Sequence, residues 1–405
     1  MTTDRFVRLR TIQQQAWERA PAIRALYDRA GLTPADLRTA GDLARLPVTP
    51  KESLIDLQRR SPPFGGLLAA DPAQIRRVFV SPGPIHEPQF RDDTDGHGFA
   101  LAFREAGIGS GDIVLNTWSY HLVPAGLLLD DGIAACGATV LPAGTGNTEL
   151  QAQMLLNLGV TCICASTAHF ETLAQTLEKS GHDLPRSWRV RSALLGGEMG
   201  DWMGKRRRLE ARYGIRTFSA YATADFGLIG HERAGQEGYV IHPERLVEVC
   251  DPTTGQPLPV GVPGEIVVTT LTAGWPLIRL GTGDVAAALD MASDGSVARL
   301  GPLQGRVGQA VKVREIFVYP RQVEELVLQT PALRHAQVVV GQEGSREHIT
   351  LIATLRQAGA SANLEAELQA RFQQLTRLRA DAVEIQGPEN DRADPAPWLV
   401  HRKDS

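Results

Sequence analysis

Apolar positions at helical spacing open the chain. Leu9, Ile12, Trp17, Ala20, Ile23 and Leu26 recur at the three-to-four-residue interval that lines one helix face, so residues 8 to 45 are predicted to be helical. Leu46-Pro47-Val48-Thr49-Pro50-Lys51-Glu52 follows, with Thr49 placed to cap a helix that begins at Pro50. Val78-Phe79-Val80 then predicts a strand running into the proline-rich stretch Ser81 to Pro88. Between 96 and 176 short apolar runs alternate with helix-like segments. Ile113 to Asn116, Ala138 to Leu141 and Thr161 to Ala165 each lead into a loop, a strand–loop–helix rhythm that predicts a mostly parallel sheet.

Further on, three apolar runs end in small residues and then an acid. Leu194-Leu195 breaks into Gly196-Gly197-Glu198, Thr217 to Tyr221 runs to Asp225, and Leu277 to Leu280 closes on Gly281-Thr282-Gly283-Asp284. In parallel sheets the ligand crevice lies outside the carboxyl ends of the strands, so these three are expected to share one mouth. Small residues let a flat ring approach the backbone, and a carboxylate can grip a ribose diol or a metal. Leu246 to Cys250 and Gly264 to Leu271, joined through Asp251-Pro252-Thr253-Thr254-Gly255, read as antiparallel strands about a tight turn. From Gly305 the character changes to a βαββαβ order: strand 311–313, helix 320–328, strands 336–340 and 349–355, helix 363–375 and strand 382–385. That order predicts a small ferredoxin-like unit. Two domains are therefore expected, 1–304 and 305–405.

Composition narrows the class. The chain has 405 residues, 43% of them hydrophobic, ample for a sizeable core, and a net charge of -4 that calls for neither nucleic acid nor an anionic membrane. No apolar run approaches the length of a membrane span, and Met1 to Arg5 lacks the build of a signal peptide. Four cysteines are too few for a disulfide framework, so a cytoplasmic protein is expected. Cys162 and Cys164 share one face of a strand and are expected to be buried there, and His231, His242 and Cys250 fit no compact zinc spacing.

These stretches together resemble, nearly end to end, the phenylacetate-CoA ligase family of the adenylate-forming superfamily. Gly196-Gly197-Glu198 is similar to its adenine-binding loop, and Tyr221-Ala222-Thr223-Ala224-Asp225 to its Tyr-Gly-x-Ser/Thr-Glu loop. Arg279 to Asp284 is similar to its ribose motif, and Gly305-Arg306 to the start of its hinge. The resemblance implies a large N-terminal adenylate-forming domain, mostly parallel sheets plus an antiparallel subdomain, followed by a mobile α+β C-terminal lid. It implies Ser81, Gly83, Gly196, Gly197, Glu198, Tyr221, Ala222, Thr223, Asp284 and Arg306 as nucleotide-binding positions. Asp225, Arg306 and Lys403 follow as catalytic ones, with Asp225 holding Mg²⁺. Trp118, Tyr120, His121, Phe226 and Gly227 are implied to line the acyl pocket, although residues such as Trp118, Tyr120 and His121 also occur simply as core or pocket wall.

The implied activity is ATP-dependent formation of an acyl- or aryl-adenylate, with transfer to CoA or another thiol. An aromatic or arylacetic acid is the implied substrate, and the oligomeric state is left open, a dimer included. The chain departs from the family on the phosphate side. Glu87 stands where the family has lysine, Ala224 where it has a hydroxyl residue, Asp225 where it has glutamate and Ala396 where it has the C-terminal lysine; Glu315 replaces a hinge-side glycine. Pro84 and Ile85 stand in the phosphate loop, and a proline removes an N–H donor. Activation of a carboxylate requires two anions to be held together while charge is neutralised. Three readings thus stand: a working ligase, a relative that binds AMP, an acyl-adenylate or CoA without completing the reaction, and a nucleotide-independent protein that keeps only the fold.

Overall fold

The strands of the parallel sheet are apolar on both faces, and the chain buries them on both. The computed structural model describes residues 4–196, 202–303, 305–307, 311–314, 316–318, 320–343, 346–357, 359, 363–376, 378–388 and 396–401. Strands Ile113–Asn116, Thr139–Pro142, Cys162–Ser166, Ser192–Gly196 and Arg216–Phe218 form an all-parallel sheet. In space Thr139–Pro142 is at one edge, followed by 113–116, 162–166, 192–196 and 216–218. Phe170, Leu173 and Leu177 pack on one face with Trp188 and Tyr213, and Phe99, Phe103, Leu128 and Ile133 on the other. Cys162 and Cys164 are fully buried in the middle strand. Double coverage of this kind explains why the strands read as continuous apolar runs.

A second, mostly antiparallel sheet carries the rest of the large unit. Its strands run in the order Arg245–Cys250, Pro263–Thr270, Leu280–Met291, Val297–Leu300, Tyr239–Ile241, Gly227–His231, Ala220–Thr223. The hairpin anticipated around Asp251 is present, its carboxylate accepting the Thr253 and Thr254 N–H groups at 2.9 Å. The N-terminal helices Arg5–Arg19 and Pro21–Ala30 lay Phe6, Leu9, Ile23 and Leu26 on the core of this sheet. One expectation fails here. Thr49 caps no helix; Thr49 and Pro50 pair in parallel with Leu280 and Gly281, and the helix begins at Ser53. The Thr49 N–H is taken by the Arg279 carbonyl at 2.9 Å, so backbone pairing won over capping.

Ile75–Ser81 and Ile85–Phe90 form an antiparallel hairpin, with Ser81 opposite Ile85 and Phe79 opposite Glu87. The stretch that resembles the family's phosphate loop, which its prolines mark as a rigid turn, is the tight end of this hairpin.

The chain divides into two compact units, Met1–Gly305 and Arg306–Ser405. In the second, Leu333–Glu343 and Arg346–Leu355 pair antiparallel, and Ala382–Gln386 and Leu399–His401 flank them in parallel. The helices Pro320–Gln329 and Leu364–Thr376 belong to this α+β unit, where Val323, Leu326, Leu368 and Phe372 are buried. The opening strand departs from the βαββαβ expectation: Val311–Val313 pairs with Ile316–Val318 in a separate hairpin, and 399–401 takes a place in the four-stranded sheet. Among the described residues no helix is long and apolar enough to cross a membrane.

Candidate functional site

Asp225 sits at the tip of a hairpin. Ala220–Thr223 and Gly227–His231 pair antiparallel with Thr223 opposite Gly227, leaving Ala224, Asp225 and Phe226 as the turn. Gly227 has φ +67°, and a Cβ there would stand 2.2 Å from the His97 Cβ, so only glycine closes this turn. Phe226 is buried and its carbonyl accepts from the Arg245 guanidinium at 2.5 Å. Burial pushes Arg245 down to about 10, opposed by Glu244, Asp95 and Asp93. The tip is thus fixed from behind.

Asp225 is 5% exposed, and its carboxylate meets a cation that the sequence places far away. Lys51 Nζ lies 2.5 Å from Asp225 Oδ2, and the Thr223 hydroxyl approaches the same oxygen at 3.4 Å. Arg279 explains how Lys51 arrives there. Its side chain, 1% exposed, pairs with Glu248 at 2.9 Å and donates to the carbonyls of Ala44, Leu46 and Gly255. Two of those carbonyls belong to the segment that leads into Lys51, and the Thr49–Pro50 pairing with 280–281 completes the anchor. Arg279, read as the start of a ribose motif, is a buried structural clamp.

Glu87 completes the cluster. It is 2% exposed, and Ser81 donates its hydroxyl to Glu87 Oε1 at 2.6 Å. Burial first, then the adjoining Asp225 carboxylate, push the Glu87 carboxyl well above its ordinary range, while the Lys51 ammonium and the Ser81 hydroxyl pull it back. Glu87 Oε2 and Asp225 Oδ1 are buried without a hydrogen-bond partner among the described residues. These orphaned oxygens suit a hard divalent cation such as Mg²⁺, so the residues present fit that ion.

Tyr221 and Asp284 are brought together as well: the phenol lies 3.0 Å from Asp284 Oδ2. Asp284 itself is half-buried, and its N–H donates to the Thr282 hydroxyl. Their strands differ from expectation. The run Thr217 to Tyr221 crosses from the parallel sheet, where it contributes residues up to Phe218, into the antiparallel sheet, where Ala220–Thr223 pairs. Leu280–Met291 also belongs to the antiparallel sheet. Of the three runs, therefore, only Ser192–Gly196 ends in the parallel sheet, and the mouth is not the edge of one sheet. Gly196 ends its strand opposite Ser166. Gly197 and Glu198 lie outside the described residues, as do Glu315 and Lys403. Ala222 and Thr223 are half-buried on their strand, and Gly83 is in the 75–90 hairpin turn.

The aromatic loop follows the strand Ile113–Asn116. Trp118 is half-buried, and the Tyr120 hydroxyl donates to Asp130 at 2.9 Å while accepting from Asn116 Nδ2. His121 is exposed rather than a core residue, because the loop turns outward at Leu122, φ +62°. The loop is tied to the Glu87 hairpin by Val80 N–H to Leu122 carbonyl at 2.9 Å. Arg306 opens the second unit, and Ala396 is exposed. The sequence does not reveal that Lys51, next to an apparent helix cap, and Glu87, at a family lysine position, meet at Asp225.

No family profile matches the chain. It is 32% identical over 363 residues to a phenylacetate-coenzyme A ligase of Thermus thermophilus, covering 85% of this chain and 79% of the relative. A phenylacetate-coenzyme A ligase of Escherichia coli is 27% identical over 386 residues, covering 92% and 86%. The fold matches 2-hydroxyisobutyryl-CoA ligase, solved with 2-HIB-AMP and CoA, at TM-score 0.87 and 24% identity over 98% of this chain and 88% of that one. The amide bond synthetase McbA of Marinactinospora thermotolerans matches at TM-score 0.59 and 20% identity, over 96% of this chain and 81% of that one. At 32% identity over 85% of its length, the chain belongs to the phenylacetate-CoA ligase family.

Proposed function

We propose that the protein activates a carboxylic acid with ATP, forming an acyl- or aryl-adenylate that it transfers to CoA, with an aromatic or arylacetic acid as substrate. The observation that carries this reading is the arrival of Lys51 at Asp225. The reaction brings a carboxylate and a polyphosphate together, so it needs cationic groups in a site shielded from water. The chain has no lysine between Lys51 and Lys179, and Glu87 and Ala396 stand where the family has lysines. Lys51 supplies a positive charge to the phosphate side from a different segment.

In this reading Gly196, Gly197 and Glu198 receive the adenine, and Tyr221, Ala222 and Thr223 flank it. Asp284, held by Tyr221, takes the ribose diol. Ser81 and Gly83 border the phosphates. Asp225 holds Mg²⁺, which when bound supplies charge neutralisation to those phosphates. Arg306 and Lys403 are the catalytic positions that this reading assigns to the second unit, a lid. The acid lies among Trp118, Tyr120, His121, Phe226 and Gly227. Relatives solved with an acyl-AMP intermediate and CoA support the two-step order.

A second reading, a binder of AMP or acyl-adenylate without full activity, draws on the buried acid at Glu87 and the exposed Ala396. Thermal stabilisation by AMP, by ATP with Mg²⁺ and by a non-hydrolysable phenylacetyl-adenylate analogue separates the two. A ligand at a hundred times its Kd adds about 2.7 kcal/mol. The ligase reading expects ATP with Mg²⁺ to stabilise as AMP does and aromatic acids to release pyrophosphate. Stabilisation by AMP and the analogue alone leaves the second reading standing.

A further inference from the structure

We infer that Glu87 and Asp225 together form a divalent-cation site, in which Glu87 is a direct metal ligand on the phosphate side. The two carboxylates come from distant parts of the chain, Glu87 from the 75–90 hairpin and Asp225 from the 220–231 hairpin tip. Each keeps one oxygen engaged by a protein donor: Ser81 holds Glu87 Oε1 at 2.6 Å, and Lys51 and Thr223 hold Asp225 Oδ2 at 2.5 and 3.4 Å. Each leaves its other oxygen, Glu87 Oε2 and Asp225 Oδ1, buried and without a partner among the described residues. Metal-ligating carboxylates are held in this way, one oxygen oriented by a donor and one free to bind.

Charge points the same way. Two buried carboxyl groups face a single ammonium. With both ionised and a divalent ion bound, the cluster carries one positive charge, the sign a polyphosphate requires. An all-oxygen donor set, carboxylates with hydroxyls behind them, selects Mg²⁺ or Mn²⁺ over softer metals. Glu87 thus brings a positive charge through a metal where a lysine would bring its own. This inference deepens the proposed ligase reading and rests on it for its purpose; metal binding itself is measured without ATP or acid.

The experiment titrates the full chain with Mn²⁺ alone and follows the free-ion signal by electron paramagnetic resonance. The wild type is expected to bind Mn²⁺ competitively with Mg²⁺, and Glu87→Gln, which keeps the side-chain shape, to bind at least tenfold more weakly. Glu87→Lys is expected to abolish binding, and Ser81→Ala to weaken it about tenfold, as loss of an orienting donor does. Wild-type affinity in Glu87→Gln overturns the inference, as does a wild type that binds no Mn²⁺. Should a variant fail to fold, anomalous diffraction from wild-type crystals soaked in Mn²⁺ decides: a peak between Glu87 and Asp225 supports it, and a peak on Asp225 alone overturns it. Mn²⁺ bound at both carboxylates without acid-dependent pyrophosphate release would sink the ligase reading and leave the site intact.

Discussion

Lys51 and Asp225 are 174 residues apart in the chain and 2.5 Å apart in the fold. The lysine side chain is 12% exposed and the aspartate 1%. Removing one partner of such a buried pair strands the other charge and typically costs about 3–5 kcal/mol. Lys51→Met is expected to lower stability by about that amount in urea unfolding, and to lower acid-dependent pyrophosphate release more than the loss of folded protein explains. If release per folded molecule is unchanged, Lys51 does not serve the phosphates.

Arg279→Lys tests the clamp that delivers Lys51. A lysine keeps the charge but cannot fork between Glu248 and three carbonyls. Buried acceptors left without donors cost about 1–3 kcal/mol each. We expect a loss of about 3 kcal/mol or more and accelerated proteolysis between 44 and 52. A variant as stable as the wild type would show that the segment is anchored by the 49–50 pairing alone.

The two residues also mark what the sequence conceals. The parallel sheet was legible because burial on both faces forces apolar strands, and the 245–270 hairpin because Asp251 and Gly255 carry turn chemistry. Tyr221, Asp225 and Asp284 were legible as candidates through small residues followed by an acid. Sheet membership was not, since an apolar run such as Thr217 to Tyr221 does not reveal that it changes sheets at Ser219. Lys51 was hidden because its local surroundings spell a helix cap, and only the tertiary path of 44–50 carries it across. The aromatic neighbours of His121 fit core and pocket wall alike, and the loop turning at Leu122 leaves it exposed, which excludes the core.

Gly227→Ala examines the turn that presents Asp225. Alanine at φ +67° is strained by about 1–2 kcal/mol, and its Cβ, 2.2 Å from that of His97, adds an overpacking cost of about 1–3 kcal/mol. The combined loss of about 3 kcal/mol should appear as a lower unfolding midpoint. An unaffected midpoint would mean that the hairpin tip shifts freely, and Asp225 with it.

Tyr221→Phe removes the hydroxyl that lies 3.0 Å from Asp284, while the ring stays packed near Tyr239. A single hydrogen bond contributes about 1 kcal/mol, roughly fivefold in affinity. AMP binding is expected to weaken by about that factor with stability nearly preserved. Unchanged AMP affinity would remove Asp284 from the ribose role.

His242 sets an acid limit on the fold. It is 7% exposed, and its Nδ1 accepts the Glu244 N–H at 3.1 Å, which requires an unprotonated nitrogen there. Burial, and then Arg245, push it down to about 4. Between pH 4 and the ordinary value near 6.5 the unfolded chain binds a proton that the folded chain refuses, so stability falls as pH drops through that window. The full effect is about 3 kcal/mol. His97 and His231 are depressed in the same direction by burial and steepen the same limb. Urea unfolding from pH 7 to pH 4 should therefore show a falling midpoint, and His242→Gln should flatten the fall while lowering stability at pH 7. An unchanged slope in that variant would assign the acid limb to His97 and His231 instead.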